Sequence, residues 1–392
     1  MSATASRLSL GLAALGLALA LMPQRAPAAT PTSWPLQLAT DLEAIPVGRG
    51  VELGVHVHDL ASGTVVSRRA GERFYLASLV KLPVAIAVLR GIEAGQFTLE
   101  TPLRLRADDR VDGAGHTNAH SLAAPLTIRY LLEQMMSFSD NTASDMLISL
   151  VGLEAVNAVA QSLAPGGFGP ITTLGEVRRQ VYGQLTTQAG RLRGDDLLRL
   201  HAQHSDGARL QLLSRILGVP KSQFRLPTLE SAYAAYYRIG LNTAPLEAYG
   251  SLLAAVVQGT ALGPEQTAWL LALMERTRTG SQRIKAGLPA EAQFAHKTGT
   301  QRKRTCDAGI VRAALAPHAA GVVVVACVRG ETSLARAEAA LREVGRALCQ
   351  SGPPAARSQH HASHCPLPTL SGRGADPAAA AGAGVVPGNG RE

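Results

Sequence analysis

Lysine is scarce in this basic sequence. The 392 residues carry a formal net charge of +9, but only five of the basic residues are lysines. The arginines that supply most of the positive charge are scattered along the chain, and no long basic block occurs. This pattern argues against a nucleic-acid-binding protein and favours a charge that serves solubility or the cell-envelope surface.

Long apolar runs are rare in the sequence, and the one that occurs lies near the N-terminus. The run at 8–22 is shorter than the ~20 residues that a membrane-spanning helix needs. It follows Arg7 and precedes Ala26-Pro27-Ala28. These features predict a signal peptide at 1–28. No cysteine follows that would accept a lipid, so we expect a periplasmic or secreted protein with no stable membrane anchor after cleavage.

Cysteine is also sparse, with four residues in the chain. An exported protein permits disulfides between them. Cys306 and Cys327 lie on two apolar, strand-like runs, which makes a cross-strand disulfide one possible arrangement. Cys349 and Cys365 are a weaker second pair.

Large apolar residues are almost absent from the C-terminal segment 351–392, which predicts a disordered tail. The tail contains His360, His361, His364 and Cys365. Nothing rigid would hold these side chains as ligands, so we expect no metal site.

The remaining chain predicts one domain over 32–350, since no internal repeat and no second linker occurs. Alternating residues predict strands at 51–58 and 64–67, and apolar runs predict strands at 308–314 and 321–328. Apolar residues three and four apart predict helices through most of 82–288 and at 334–348. The expected class is α/β of the α+β type, with an antiparallel sheet flanked by helices and an inserted helical subdomain at 82–288. A monomer is expected.

Three short motifs in a fixed order carry the chemistry. They are Ser78-Leu79-Val80-Lys81, Ser139-Asp140-Asn141 and Lys297-Thr298-Gly299. In the first, residues three apart share one helix face, so the Lys81 amine approaches the Ser78 hydroxyl. A serine becomes a nucleophile when a neighbouring base takes its proton, and lysine serves as that base when burial lowers its pKa. Two of the five lysines stand at the two positions where this chemistry needs lysine.

Together these motifs resemble the signature of class A β-lactamases and penicillin-binding proteins, over roughly 35–350. The resemblance implies a β-lactamase/transpeptidase-like fold in which Ser78 is acylated, Lys81 acts as general base and Ser139 relays a proton. It further implies that the substrate is bound by Asn141, Lys297, Thr298, Gly299 and Thr300. The backbone N–H groups of Ser78 and Thr300 would form the oxyanion hole. No metal or organic cofactor is implied.

The chain departs from this family after the second motif. The family's Glu-x-x-Leu-Asn, whose glutamate activates the deacylating water, is absent. Glu176 is the nearest carboxylate, about two residues early, and is the candidate deacylation base. The family's Asn four positions after Asn141 is Asp145 here. An insertion at 177–241 replaces the usual short loop, and it offers Glu230 as another candidate, a reshaped site or a partner surface.

The sequence therefore predicts a serine hydrolase that opens a β-lactam or related amide, a small-molecule substrate, through a Ser78 acyl-enzyme. Two alternatives stay open. One is a D-Ala-peptide carboxypeptidase or esterase of the cell envelope. The other is a penicillin-binding protein that senses or binds without hydrolysis.

Overall fold

The computed structural model describes residues 33–312 and 321–351. The predictions for the signal peptide, for the tail beyond residue 351 and for Cys365 lie outside these residues. The helices are α1 (Trp34–Ala44), α2 (Lys81–Glu93), α3 (Ile128–Ser137), α4 (Asn141–Val151), α5 (Leu153–Leu163), α6 (Leu174–Gly183), α7 (Gly194–His201), α8 (Asp206–Leu217), α9 (Leu229–Tyr237), α10 (Leu246–Val257), α11 (Pro264–Glu275) and α12 (Leu334–Ser351). The strands are β1 (Glu52–Asp59), β2 (Val65–Arg68), β3 (Arg73–Tyr75), β4 (Pro102–Arg104), β5 (Pro125–Thr127), β6 (Thr243–Pro245), β7 (Gln293–Gln301), β8 (Arg304–Arg312) and β9 (Val322–Arg329).

A five-stranded sheet with the order β2-β1-β9-β8-β7 forms the centre of the fold. Every neighbouring pair in it is antiparallel. Successive residues of a strand point to opposite faces, so the apolar run of β9 serves two cores. Val323 and Val325 pack on the side of α2 and α10, whereas Val322 and Val324 pack on the side of α1 and α12. The predicted antiparallel sheet flanked by helices is confirmed.

A disulfide joins β8 to β9, as one of the predicted pairings proposed. Cys306 and Cys327 are directly opposed in the strand register, and their sulfur atoms are bonded. The second predicted pairing involves Cys365 and stays a prediction.

The insertion forms a helical layer with its own core. Its helices α6 to α9 bury Val181, Leu213 and Tyr236 in a cluster that also contains Tyr75 and Ala77. Those last two residues lead into Ser78, so the insertion packs against the turn that carries the expected nucleophile.

One helix of the insertion begins before its apolar residues do. α7 begins at Gly194, three residues before Leu197. Its start is fixed by Asp196, whose carboxylate accepts a 3.1 Å hydrogen bond from the backbone N–H of Arg193. A side-chain acceptor of this kind satisfies a backbone donor at the start of a helix, ahead of its apolar residues.

The described residues, 33–312 and 321–351, contain neither a single membrane-spanning helix nor a metal-binding cluster. No single helix there is long and apolar enough to cross a membrane, and α4 and α5 pass that test only as a pair bent by 91°. No group of three or more His, Cys, Asp or Glu side chains is arranged there to hold a metal ion.

Candidate active site

The three sequence motifs meet at the edge of the sheet formed by β7. The hydroxyl of Ser139 lies between two amines, 3.3 Å from Lys81 Nζ and 3.0 Å from Lys297 Nζ. Both lysines are fully buried. The structure thus brings together one residue from each motif.

Ser78 lies on a tight turn of 3₁₀-helix, Ala77–Val80, that leads directly into α2. Ala77 adopts a φ of 49°, a conformation that non-glycine residues rarely take. Strained backbone of this kind persists where the surrounding structure fixes it, often at functional sites. The Ser78 side chain is half-buried, and its hydroxyl forms no hydrogen bond within residues 33–312 and 321–351.

Gly299 allows β7 to pass directly over this turn. A Cβ atom at Gly299 would lie 2.4 Å from the carbonyl oxygen of Leu76, which is closer than real contacts allow. The backbone of β7 is therefore in direct contact with the turn that carries Ser78. An oxyanion hole formed by the backbone N–H groups of Ser78 and Thr300 requires this proximity.

Lys81 has the environment of a general base. Burial lowers its pKa to about 7, although the charges of Asp140 and Asp145 act in the opposite direction. Its Nζ donates to the carbonyl oxygen of Ser139 (2.6 Å) and to Oδ1 of Asn141 (2.7 Å). A lysine whose pKa is lowered in this way can be neutral near pH 7, the state in which its amine can accept a proton.

Lys297 is held in a second, similar environment. Burial lowers its pKa well below the usual lysine value, and the positive charges of Lys81 and Arg283 add to this effect. Its Nζ donates to the carbonyl oxygen of Thr298 (2.9 Å) as well as to Ser139. The site therefore holds two buried amines, one on each side of the Ser139 hydroxyl.

The residues of the second motif have different roles: Asp140 is structural, and Asn141 contacts the catalytic lysine. Asp140 caps α4 by accepting a 2.9 Å hydrogen bond from the backbone N–H of Ala143. Asn141 accepts from Lys81 and donates through Nδ2 to the carbonyl oxygen of Asp112 (2.6 Å). The second N–H of that amide group remains for a substrate.

Sequence reasoning gave no role to Arg283, because one arginine among many carries no signal. The side chain is 3% exposed. It donates to the carbonyl oxygen of Gly299 (3.3 Å) and to the hydroxyl of Thr300 (2.7 Å). Thr298 is fixed in turn by a 2.6 Å hydrogen bond to Thr279. Arg283 thereby positions the strand residues that are expected to bind substrate.

Glu176 forms no hydrogen bond with the motif residues in the described parts of the chain. Its carboxylate accepts hydrogen bonds from Arg179 Nε (3.0 Å) and Gln180 Nε2 (2.7 Å), both on its own helix. Asp145, which replaces the family's asparagine, is bonded instead to the start of α6, through the backbone N–H groups of Leu174 (2.7 Å) and Gly175 (2.8 Å). The expected deacylation base therefore has other partners in this structure.

Glu230, the alternative candidate in the insertion, is also engaged elsewhere. It pairs with Lys303 (2.6 Å) and Arg302 (3.5 Å) at the β7–β8 hairpin, and almost half of its side chain is exposed. Neither carboxylate contacts Ser78, Lys81 or Ser139 among the hydrogen bonds of the described residues.

Comparison with known proteins gives concordant results. A family model described as "Beta-lactamase enzyme family" matches residues 37–351. The chain is 28% identical to the β-lactamase OXY-2 of Klebsiella oxytoca over 67% of this chain and 71% of that protein. It is 28% identical to a β-lactamase of Streptomyces albus G over 77% of this chain and 80% of that protein. The crystal structure of a β-lactamase from Sphaerobacter thermophilus covers 81% of this chain and 96% of its own, at 23% identity and a TM-score of 0.58.

Proposed function

The chain belongs to the β-lactamase enzyme family, and from this premise we propose that it opens a β-lactam or a related amide through an acyl-enzyme on Ser78. It is a serine hydrolase related to the class A β-lactamases. The observation that carries the proposal is the Ser139 hydroxyl between the amines of Lys81 and Lys297.

Acylation follows from these contacts. Neutral Lys81 accepts the proton of the Ser78 hydroxyl, and Ser78 Oγ bonds to the carbonyl carbon of the substrate. The backbone N–H groups of Ser78 and Thr300 stabilise the negative charge that develops on the carbonyl oxygen. The ring C–N bond then breaks, and the leaving nitrogen receives a proton through Ser139.

Substrate binding relies on the remaining motif residues. Lys297 and Thr298 bind the substrate carboxylate, with Gly299 and Thr300 supplying strand backbone beside it. Asn141 donates the free N–H of its amide to the carbonyl group of the substrate's acyl side chain. This arrangement fits penicillins and cephalosporins, which carry a carboxylate on one side of the reacting amide and an acylamide on the other.

The second half of the reaction is hydrolysis of the acyl-enzyme, and the two candidate bases for it have other partners. Hydrolysis of the acyl-enzyme needs a water and a base, and Glu176 and Glu230 are both held by cationic or amide side chains. This observation favours a second candidate, a penicillin-binding protein that acylates readily but releases product slowly. A D-Ala-peptide carboxypeptidase or esterase would use the same acylation residues on a different substrate.

Export to the periplasm or medium completes the proposal. It is supported by the charge and hydropathy pattern of residues 1–28 and by the disulfide between Cys306 and Cys327, since such bonds persist in oxidising compartments.

The test is a time course with a chromogenic cephalosporin, with intact-protein mass spectrometry on the same samples. Ring opening together with an adduct that is lost in Ser78→Ala supports the proposal. Sustained turnover identifies a hydrolase, whereas one equivalent of opened ring with a persistent adduct identifies the slow penicillin-binding form. If the β-lactam is not opened, or if Ser78→Ala reacts as the wild type does, the proposal is wrong. Turnover of a D-Ala-D-Ala peptide in place of the cephalosporin identifies the peptidase.

A further inference from the structure

A cavity of about 290 Å³ lies between the insertion and the two elements that border the active site. Its lining includes Asp112, Arg178, Tyr182, Arg209, Tyr233 and Arg302. We call this cavity the insertion pocket. Four of these six residues come from the inserted segment 177–241.

The insertion pocket adjoins the site on two sides. On one side, the backbone carbonyl of Asp112 accepts the 2.6 Å hydrogen bond from Asn141 Nδ2. On the other side, Gln301 and Arg302 line the pocket and directly follow Thr300 at the end of β7. A substrate whose acylamide lies against Asn141 would therefore direct its acyl side chain towards this pocket.

The only carboxylate among the pocket-lining residues is already satisfied. Asp112 shares the single Nε–H of Arg178 between its two oxygens, at 2.8 and 3.0 Å, and lies 3.1 Å from Nδ1 of His201. The charge of Arg178 and hydrogen bonds from both residues hold the pKa of Asp112 well below its usual range despite burial. This carboxylate therefore stays ionised and paired with Arg178.

Arg209 and two tyrosines of the lining have no carboxylate partner among the described residues. Arg209 bonds only to the backbone carbonyls of Leu200 (2.9 Å) and His201 (3.3 Å), and no carboxylate of the described residues pairs with it. The hydroxyl groups of Tyr182 and Tyr233 form no hydrogen bond within the same described ranges. The pocket thus offers an arginine without a carboxylate partner and two tyrosine hydroxyls that can donate to an anion.

Arg302 adds a further positive charge at the pocket's edge. Its guanidinium lies 5.2 Å from the centre of the Tyr233 ring and pairs with Asp206 at 2.8 Å. Arg302 also lies 3.5 Å from Glu230, so Arg178 and Arg302 both have carboxylate partners, and Arg209 is the guanidinium group of the lining that has none among the described residues. A planar, acceptor-rich anion suits such a set of donors, because arginine binds carboxylates with charge-assisted hydrogen bonds.

We propose that the insertion pocket binds a carboxylate carried by the acyl side chain of the substrate. The substrate class is then an acylated amide or β-lactam with an acidic group several bonds beyond the acylamide. This inference rests on the proposed acylation of Ser78, and it assigns the insertion a role in substrate selection.

The test compares two cephalosporins that share one nucleus and carry an adipoyl or a hexanoyl side chain, which differ by a terminal carboxylate. We expect acylation of the wild type to be about tenfold faster with the adipoyl compound, the factor expected for one charge-assisted hydrogen bond. Arg209→Gln should remove this preference and leave the rate with the hexanoyl compound unchanged. Arg302→Gln should reduce the preference in the same direction, and it keeps the test decisive if Arg209→Gln does not fold.

Arg199→Gln is the matched control, because Arg199 lies on α7, is 61% exposed and pairs with Asp196 outside the pocket. It should retain the full preference. Equal rates in the wild type, or a preference that survives both pocket substitutions, overturns the inference while leaving the proposed function intact. If neither compound acylates Ser78, the proposed function fails. A calorimetric titration with adipate then tests whether the insertion pocket binds a carboxylate. Binding that is lost in Arg209→Gln supports it, and no binding to the wild type overturns it.

Discussion

Asp145 and Gly175 belong to different helices, and the Asp145 carboxylate accepts a 2.8 Å hydrogen bond from the backbone N–H of Gly175. Its other oxygen accepts from the backbone N–H of Leu174. A carboxylate at a helix N-terminus satisfies backbone donors that have no partner within the helix. The replacement of the family's asparagine therefore changes the attachment of α6 to α4, and it supplies no accessible base next to Ser78.

This buried carboxylate predicts a specific dependence of stability on pH. Burial raises the pKa of Asp145 from 3.8 to about 6, against the opposing effect of the two backbone N–H groups. The folded protein then binds more protons than the unfolded chain between these two values, so the stability contributed by Asp145 falls as pH rises through this window. The fall amounts to about 3 kcal/mol and is complete above the folded pKa.

The Asp145→Asn variant isolates this effect. It cannot ionise, and the acceptor that it loses costs the same at every pH. Relative to the wild type, its free energy of unfolding should therefore rise by up to about 3 kcal/mol between pH 4 and pH 7. Urea unfolding at intervals of one pH unit measures the difference. A difference that stays constant with pH would show that Asp145 does not titrate in this window.

The environment of Lys81 predicts the pH profile of acylation. Since burial lowers its pKa to about 7, the rate should rise as pH increases through that value and then level off. Lys81→Arg keeps the charge but cannot lose its proton, so acylation should fall by ~10²–10⁴. Stopped-flow measurement with a chromogenic cephalosporin gives both results. The exposed Lys221→Arg is the control, and a wild-type rate in Lys81→Arg would exclude the lysine as base.

The partners of Glu176 predict that it does little in deacylation. A base that activates the hydrolytic water contributes ~10²–10⁴ in rate, so its removal would be conspicuous. Because both Glu176 oxygens are bonded to Arg179 and Gln180, we expect Glu176→Gln to change the lifetime of the acyl-enzyme by less than about twofold. The lifetime is measured by mass spectrometry after excess β-lactam is removed. An adduct that persists only in Glu176→Gln would instead restore Glu176 as the base.

Local patterns predicted the features that depend on local sequence. Strand alternation predicted β1 and β2, and the apolar run after Ser78 predicted the helix α2 that begins at Lys81, since both follow from backbone geometry. The motif trio correctly predicted that Lys81, Ser139 and Lys297 meet, because the family resemblance carries tertiary information that spacing alone does not.

The features that the sequence did not reveal depend on which side chains meet in space. Glu176 has the right residue type near the right position, but Arg179 lies one helical turn away and binds it. Asp145 caps a helix that begins almost thirty residues later. Arg283 reaches Thr300 across the sheet edge, and no sequence pattern links those two positions.

Gly299 provides the last prediction, because it tests whether the contact between β7 and the Ser78 turn is needed for acylation. Its φ is not in the left-handed region, so an alanine is not strained there by backbone conformation. The methyl group would, however, lie 2.4 Å from the carbonyl oxygen of Leu76 and must push β7 away from the turn. Displacing the Thr300 N–H from the oxyanion hole should reduce acylation by about 10²–10³.

A matched substitution separates this effect from a general effect of alanine. Gly183→Ala adds the same methyl group at a position with no neighbouring atom within 4 Å, so its acylation rate should equal that of the wild type. The test is to measure the acylation rates of both variants, after circular dichroism has shown that each is folded. A slower rate in Gly299→Ala alone shows that the contact between β7 and the Ser78 turn is needed for acylation. If folded Gly299→Ala acylates as fast as Gly183→Ala, then either β7 absorbs the methyl group without moving Thr300, or the oxyanion is stabilised by other donors. A crystal structure of Gly299→Ala separates these two explanations by the position of the Thr300 nitrogen.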